Sequence, residues 1–323
     1  MLRFIFLVDL NCIIFSSRRF IKVLKRSLRK GIILAGGTGS RLAPLTSTIN
    51  KQLFLVYDKP MIYYPLSTLM LCGIKDILII TNPNSLGLYK KLLGNGNNWG
   101  INIKYEIQKQ PQGIAQSVLI GEKFIGKSPV VIVLGDNLFY GNDLIDILKR
   151  ADSRMKGGSI FAYSVREPER YGVVQFDKSG AVISIEEKPS NPKSEYAVTG
   201  LYFYDNSVVQ YAKDLEMSSR GEFEITSINK KYFKEKLLKV EIMGRGITWF
   251  DTGTFESLYD AASYIRTLEN RQGLKIGCPE EVAFRNGWIS NEKLKKLADS
   301  LINSNYGKYL LDLSEKYEIL LKS

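Results

Sequence analysis

From residue 31 onward, short continuous apolar runs alternate with segments of helical periodicity. Ile32–Leu34, Ile77–Thr81 and Val130–Leu134 are rich in β-branched residues and show no polar alternation. That is the pattern of strands covered on both faces. The segments Tyr63–Cys72, Ser85–Leu93 and Asn142–Arg150 read as helices. Alternation of this kind predicts a Rossmann-like, doubly wound α/β sheet, mainly parallel, with ligands at the carboxyl ends of its strands. Further on the character changes. Val173–Asp177, the turn Lys178-Ser-Gly180 and Ala181–Glu186 read as a hairpin, and Val198–Tyr204 and Val240–Met243 as further strands. These predict a mixed-sheet insertion covering one side of a cleft. After Asp251 the chain is largely helical, with Leu294, Leu297, Ala298 and Leu301 at helical spacing. That stripe predicts a core or subunit-contact face.

The first thirty residues do not share this pattern. Apolar residues crowd positions 4–15, interrupted by Asp9 and Asn11, and the basic cluster follows them. The run is shorter than the ~20 residues of a spanning helix. A secretory signal would carry its charge in front and a small-residue cleavage site behind. Phe20-Ile-Lys-Val-Leu-Lys-Arg26 has some amphipathic character, compatible with a membrane-surface helix. The preferred expectation is that the extension, residues 1–28, is not part of the working protein, whose chain would start at the Leu28 codon with Met in its place.

Composition narrows the chemistry. The 323 residues are 45% hydrophobic and 24% charged, ordinary for a folded protein and enough for one large α/β domain with an appended part. Three scattered cysteines, Cys12, Cys72 and Cys278, form no CxxC pair and suggest a reducing, cytoplasmic setting. There is no histidine, which removes every mechanism that needs an imidazole. The formal charge of +12 is concentrated in residues 1–30, which hold eight basic groups and one acid. The other 293 residues therefore carry only +5. A surplus so small suits phosphorylated small molecules and requires no nucleic acid.

The first strand runs into Ala35-Gly-Gly-Thr-Gly-Ser-Arg-Leu42. Glycines let the backbone approach a polyphosphate and turn N–H groups toward it, and Arg41 adds a forked cation. The loop lacks the Gly-Lys-Ser/Thr ending of a P-loop, and Leu42 stands where the dinucleotide fingerprint has its third glycine. Lys51, in Asn50-Lys-Gln-Leu-Phe, would bracket a triphosphate together with Arg41. Asp136 directly follows the run Val130–Gly135, and Asp251 follows another apolar segment. Two such acids suit Mg²⁺, which binds one or two carboxylates plus substrate phosphates. Lys188, in Glu187-Lys-Pro189, ends the hairpin and is placed to meet a second phosphate.

The motifs Gly36–Leu42, Asn50-Lys-Gln-Leu, Val56–Ser67, Leu134-Gly-Asp-Asn137, Glu169–Val174, Glu186–Pro189, Val198–Tyr204, Arg220-Gly-Glu, Glu241–Gly246 and Asp251–Thr254 occur in order. Together they resemble the glucose-1-phosphate thymidylyltransferase family, and Leu268–Leu274 points to its bacterial short form. The resemblance covers residues 29 to about 310. It implies a nucleotide-diphospho-sugar transferase fold, with a nucleotidyltransferase domain over 29–255 whose sugar-binding part spans about 160–245. A helical region over 256–323 would make oligomer and regulatory contacts. The implied reaction joins dTTP and glucose 1-phosphate into dTDP-glucose and pyrophosphate, assisted by Mg²⁺, as the first step of dTDP-L-rhamnose or dTDP-deoxysugar synthesis for cell-surface polysaccharides. The resemblance further implies a homotetramer, feedback by a nucleotide sugar of the product pathway, and no membrane partner.

Residue by residue, Leu34, Gly36, Gly37, Thr38, Gly39, Arg41 and Lys51 match the triphosphate and nucleotide positions. Gln108 and Gly113 match those at the thymine edge, and Gln52 lies near the deoxyribose. Asn137, Tyr171, Gly172, Glu187 and Val198 match positions around the hexose. Lys188 matches the lysine on the sugar phosphate, and Asp136 and Asp251 match the magnesium ligands. Arg41, Lys51 and Lys188 would carry catalysis. Several positions depart from the family pattern: Ala43 and Asn142 stand at usual histidines, Asn50 at a serine, Leu55 at a proline and Gln112 at an aspartate.

Overall fold

A computed structural model describes residues 28–322. The readings made for residues 1–27 lie outside them. In chain order the strands are β1 (Lys30–Ala35), the short pair β2 (Leu55–Val56) and β3 (Lys59–Pro60), β4 (Asp76–Thr81), β5 (Asn102–Ile107) and β6 (Val130–Leu134). They continue with β7 (Leu138–Gly141), β8 (Gly158–Ser164), β9 (Gly172–Phe176), β10 (Val182–Glu187), β11 (Tyr196–Tyr204), β12 (Leu238–Ile242) and β13 (Ile247–Phe250).

The main sheet runs β10-β9-β11-β6-β1-β4-β5, with β8 between β11 and β12 off that path. β1 pairs in parallel with both β4 and β6. The chain thus leaves β1 toward one edge and returns on the other side. A crevice opens at the carboxyl ends where the order reverses. Neighbouring residues of β1 explain its continuous apolar run. Ile33 packs with Leu66, Leu69 and Met70 on one face, and Ile32 with Ala115, Val118 and Ile125 on the other. Both isoleucines are fully buried.

The mixed-sheet segment is continuous with this sheet. The nine-residue β11 is long enough to pair antiparallel with β6 over Leu201–Tyr204 and with β9 over Tyr196–Ala197. Its register shifts between Val198 and Tyr202, where the strand passes the crevice.

The C-terminal helices share the main core. Tyr306 and Leu310 belong to the same apolar cluster as Ile33 and Leu66. The Asn286 side chain donates to the Met70 carbonyl at 3.2 Å. In the predicted stripe Leu294 and Ala298 are fully buried, whereas Leu301 lies beyond the helix Asn291–Asp299 and is exposed.

The helix Phe255–Gln272, started by a Thr254–Ser257 capping box, is locked to the β2–β3 turn by buried charges. The Lys59 ammonium donates to Glu269 Oε1 at 2.9 Å and pairs with Asp58 Oδ1 at 2.6 Å. Lys275 pairs with Glu269 Oε2 at 2.5 Å and also with Asp58. The backbone N–H of Ile276 donates to Glu269 Oε1 at 2.9 Å. Burial by itself would raise the Asp58 carboxyl, but the two ammonium groups outweigh it and hold the group below its ordinary value.

Candidate active site

The glycine loop and the two aspartates meet at the crevice. Gly39 has φ +62°, in the left-handed region, and a Cβ there would stand 2.8 Å from Thr46 Cγ2. A larger residue would be both strained and obstructed, so the tight path of the loop requires glycine. Behind the loop Asn50 caps the turn Lys51–Leu53 through Gln52 N–H and donates to the Ala35 carbonyl at 3.0 Å. It also accepts from the Tyr89 hydroxyl at 2.8 Å. This buried amide fixes Lys51 against the end of β1, and Lys51 Nζ reaches Asp136 Oδ2 at 2.5 Å.

Asp251 joins this group through the small sheet of β13 and β7. Phe250 lies opposite Leu138, so the next residues outward on the two strands are Asp251 and Asn137. Thr252 hydroxyl donates to the Asp136 carbonyl at 2.7 Å. Asn137 knits the floor together. Its amide nitrogen donates to Asp136 Oδ1 at 2.9 Å, and its oxygen accepts from Gly200 N–H at 2.9 Å and Trp249 Nε1 at 2.6 Å.

The opposite wall is the β9–β10 hairpin. Its register sets Gly172 against Glu187. Lys188 N–H donates to the Tyr171 carbonyl at 2.9 Å, and Lys188 itself adopts φ +42°. Glu187 accepts from Arg220 at 3.2 Å and from the Thr226 hydroxyl. The Tyr171 hydroxyl donates to Asp251 Oδ2 at 2.8 Å, and Arg170 approaches the same oxygen at 3.4 Å. Burial, then the negative charge of Asp251, pushes the Tyr171 phenol up, which keeps it a donor.

The resulting cleft has a volume of about 560 Å³. Of the residues singled out from sequence, Gly37, Thr38, Gly39, Arg41, Lys51, Asp136, Asn137, Tyr171, Gly172, Glu187, Lys188, Val198 and Asp251 line it. Leu34, Gly36, Gln52, Gln108 and Gly113 are not in its lining. Gly36 packs against the buried Gln108 side chain, Gln52 lies beneath Gly135, and Gly113 packs on the Phe223 backbone.

Three comparisons place this geometry among known proteins. The profile of the nucleotidyl transferase family matches residues 30–267. A Neisseria meningitidis glucose-1-phosphate thymidylyltransferase is 55% identical over 287 residues, 89% of this chain and 100% of the relative. A Mycobacterium tuberculosis enzyme of the same name is also 55% identical, over 89% of this chain and 99% of its own. The chain belongs to the glucose-1-phosphate thymidylyltransferase family. A solved structure from Bacillus anthracis, assigned to the same family and bound to sucrose, superposes with a TM-score of 0.69 at 43% identity. It covers 74% of this chain and 95% of that one. A UDP-glucose pyrophosphorylase with UDP-glucose bound shares the fold, with a TM-score of 0.66 at 24% identity over 74% and 99% of the chains.

For a thymidylyltransferase-family cleft, the sequence reading missed Arg170, Tyr202, Thr226 and Trp249, all of which line it. Arg170 sits inside the Glu169–Val174 motif and Trp249 two residues before Asp251, so both were adjacent to a quoted signal. Thr226 lies on the helix Ile225–Lys234, reaching Glu187 across 39 positions of chain, and no local pattern marks it. The departure at Gln112 is accommodated: its side-chain oxygen accepts from Gln116 Nε2 at 2.8 Å, a contact that asks only for an acceptor.

Proposed function

We propose that this protein transfers a thymidylyl group from dTTP to α-D-glucose 1-phosphate, releasing pyrophosphate. The observation that carries this reading is the single cleft that holds the glycine loop with Arg41 and Lys51, the acids Asp136 and Asp251, and the hairpin end with Glu187 and Lys188. It offers a triphosphate end, a sugar-phosphate end and hard anionic oxygens between them.

A phosphate monoester has its second pKa near ~6, so the attacking oxygen of glucose 1-phosphate is already an anion at neutral pH and needs no general base. It forms a bond to the α-phosphorus in line as the bond from that phosphorus to the bridging oxygen breaks, and pyrophosphate leaves with the electron pair. The protein positions the two phosphates and neutralises charge through Arg41, Lys51 and Lys188. Tyr171, Gly172, Glu187, Val198 and Asn137 surround the hexose, and the Gly36–Gly39 loop with Leu34, Gln52, Gln108 and Gly113 holds the nucleotide.

The donor set fits Mg²⁺. Asp136 and Asp251 are two partly exposed carboxylates facing one cleft. Among the described residues no cluster of three or more potential ligands forms an all-protein cage. Mg²⁺ prefers such sparse carboxylate sites completed by substrate phosphates and water. When bound, the ion supplies charge neutralisation on the phosphates.

The family membership also supports a homotetramer, feedback by a nucleotide sugar of the product pathway, and a cytoplasmic place at the first step of dTDP-deoxysugar synthesis. Among the described residues no helix is long and apolar enough to cross a membrane.

Pyrophosphate release from dTTP or UTP with glucose 1-phosphate and Mg²⁺ tests the reading. A higher kcat/KM for dTTP is expected, and a clear preference for UTP, or no release at all, overturns it. Lys188→Ala should weaken the use of glucose 1-phosphate by about 10²-fold while dTTP binding changes little. Equal losses on both substrates, measured by titration and steady-state kinetics, would contradict its placement on the sugar phosphate.

A further inference from the structure

Beside the cleft three glutamines form a relay whose direction is set by the backbone. The N–H of Gln112 donates to Gln116 Oε1 at 3.1 Å. A backbone N–H can only donate, so the Gln116 atom facing it must be the oxygen. That same oxygen accepts from Gln108 Nε2 at 2.6 Å. The Gln108 atom turned toward Gln116 must therefore be its nitrogen. Gln116 Nε2 in turn donates to Gln112 Oε1 at 2.8 Å, which closes the ring between Gln112 and Gln116.

The turn carrying Gln112 is itself held. Phe223 N–H donates to the Gln112 carbonyl at 2.7 Å, and Ala115 N–H donates to the Phe223 carbonyl at 3.2 Å. Gln108 is only 2% exposed, and its backbone N–H is fixed to the Thr81 carbonyl at 2.8 Å. The chain therefore leaves the Gln108 amide one way to face. Its Oε1 is turned to Gly36 at the base of the glycine loop, where a Cβ would stand 2.2 Å from that oxygen. Among the described residues no donor reaches Gln108 Oε1.

We infer that Gln116 is a positioning residue that fixes the Gln108 amide with its oxygen toward Gly36 of the glycine loop, and thereby selects bases with a ring N3–H over bases with a bare N3. The inference rests on the proposed thymidylyl transfer and on Gln108 meeting the base. Thymine and uracil donate from N3 and accept at the flanking carbonyls. They complement an amide that offers Oε1 and one remaining N–H. A cytosine held in the same register by its sugar and phosphates presents a bare N3 to Oε1, so it would set acceptor against acceptor. A free glutamine would rotate its amide to suit cytosine. Here rotation would turn Gln108 Oε1 against Gln116 Oε1, and Gln116 cannot compensate without losing the Gln112 N–H.

The test compares kcat/KM for dTTP and dCTP in the full chain with Gln116→Met and Gln116→Glu. Methionine keeps the length of the side chain and removes both polar atoms. Glutamate keeps an oxygen for the Gln112 N–H and the Gln108 amide, while the partly exposed Gln112 amide can turn to donate to it. The dTTP-to-dCTP ratio should fall by about tenfold or more in Gln116→Met and stay within about threefold of the parent in Gln116→Glu. An unchanged ratio in Gln116→Met, with both substrates equally slowed, overturns the inference. So does a ratio lost to the same extent in Gln116→Glu, which is the variant that decides if the methionine variant does not fold. A parent protein that turns over neither nucleotide would instead refute the thymidylyl-transfer reading.

Discussion

Asp136→Asn lowers kcat for pyrophosphate release by about 10²–10³-fold, the cost of losing one preorganised charge at a phosphoryl-transfer centre. The carboxylate holds Lys51 Nζ at 2.5 Å and is one of the two cleft acids proposed to hold a divalent ion. Asparagine keeps an oxygen for the Asn137 amide, which donates to Asp136 Oδ1 at 2.9 Å, so the floor of the cleft should remain in place. The loss should therefore appear in turnover at saturating substrates, beyond a modest fall in thermal midpoint because the buried Lys51 ammonium loses its carboxylate partner. Retention of more than about a tenth of the parent kcat would remove Asp136 from the role given to it. A large fall in the midpoint would place its effect in folding instead.

Glu269→Ala should destabilise the fold by about 3–5 kcal/mol, the usual cost of breaking one side of a buried ion pair. The side chains of Lys59 and Glu269 are 2% and 3% exposed. The variant would leave the Lys59 ammonium without its 2.9 Å partner and the Ile276 N–H without an acceptor. Asp58 still reaches Lys59 at 2.6 Å, which argues for the lower end of that range. Urea unfolding followed by tryptophan fluorescence would measure it. The double variant Lys59→Met/Glu269→Leu should recover part of the loss, because apolar replacement of a buried pair is often neutral or stabilising, while Lys275 and the Ile276 N–H still lack Glu269. A single-variant loss under about 1 kcal/mol would show that the pair contributes little.

Much of the candidate site could be read in the chain because its parts are local. The loop Gly36–Leu42 follows its strand directly, Asp136 lies two residues beyond β6, and Lys188 follows the last residue of β10. A residue just beyond a buried parallel strand such as β1 or β6 lies at the ligand-binding end of the sheet, whichever neighbours that strand later acquires, whereas Lys188 follows an antiparallel strand and is marked by the end of its hairpin. The absence of histidine likewise excluded whole reaction classes with no geometry at all.

Other features depend on partners far apart in sequence. The continuity of the mixed segment with the main sheet rests on β11 pairing with β6, a choice among several apolar strands that composition does not make. Thr226 acquires its role only when its helix packs beneath Glu187. Glu269 reads as an ordinary helical acid until Lys59, 210 positions away, is buried against it. The direction of the Gln108 amide depends on a backbone N–H in the next turn. The sequence by itself determined the alternation of strands and helices and which strand ends carry the glycine loop, the cations and the acids, because covalent neighbours and apolar periodicity decide those. Only the tertiary structure decided which charges are buried together and which way each polar group faces, because hydrogen bonds are directional and desolvation acts only once the chain has closed around them.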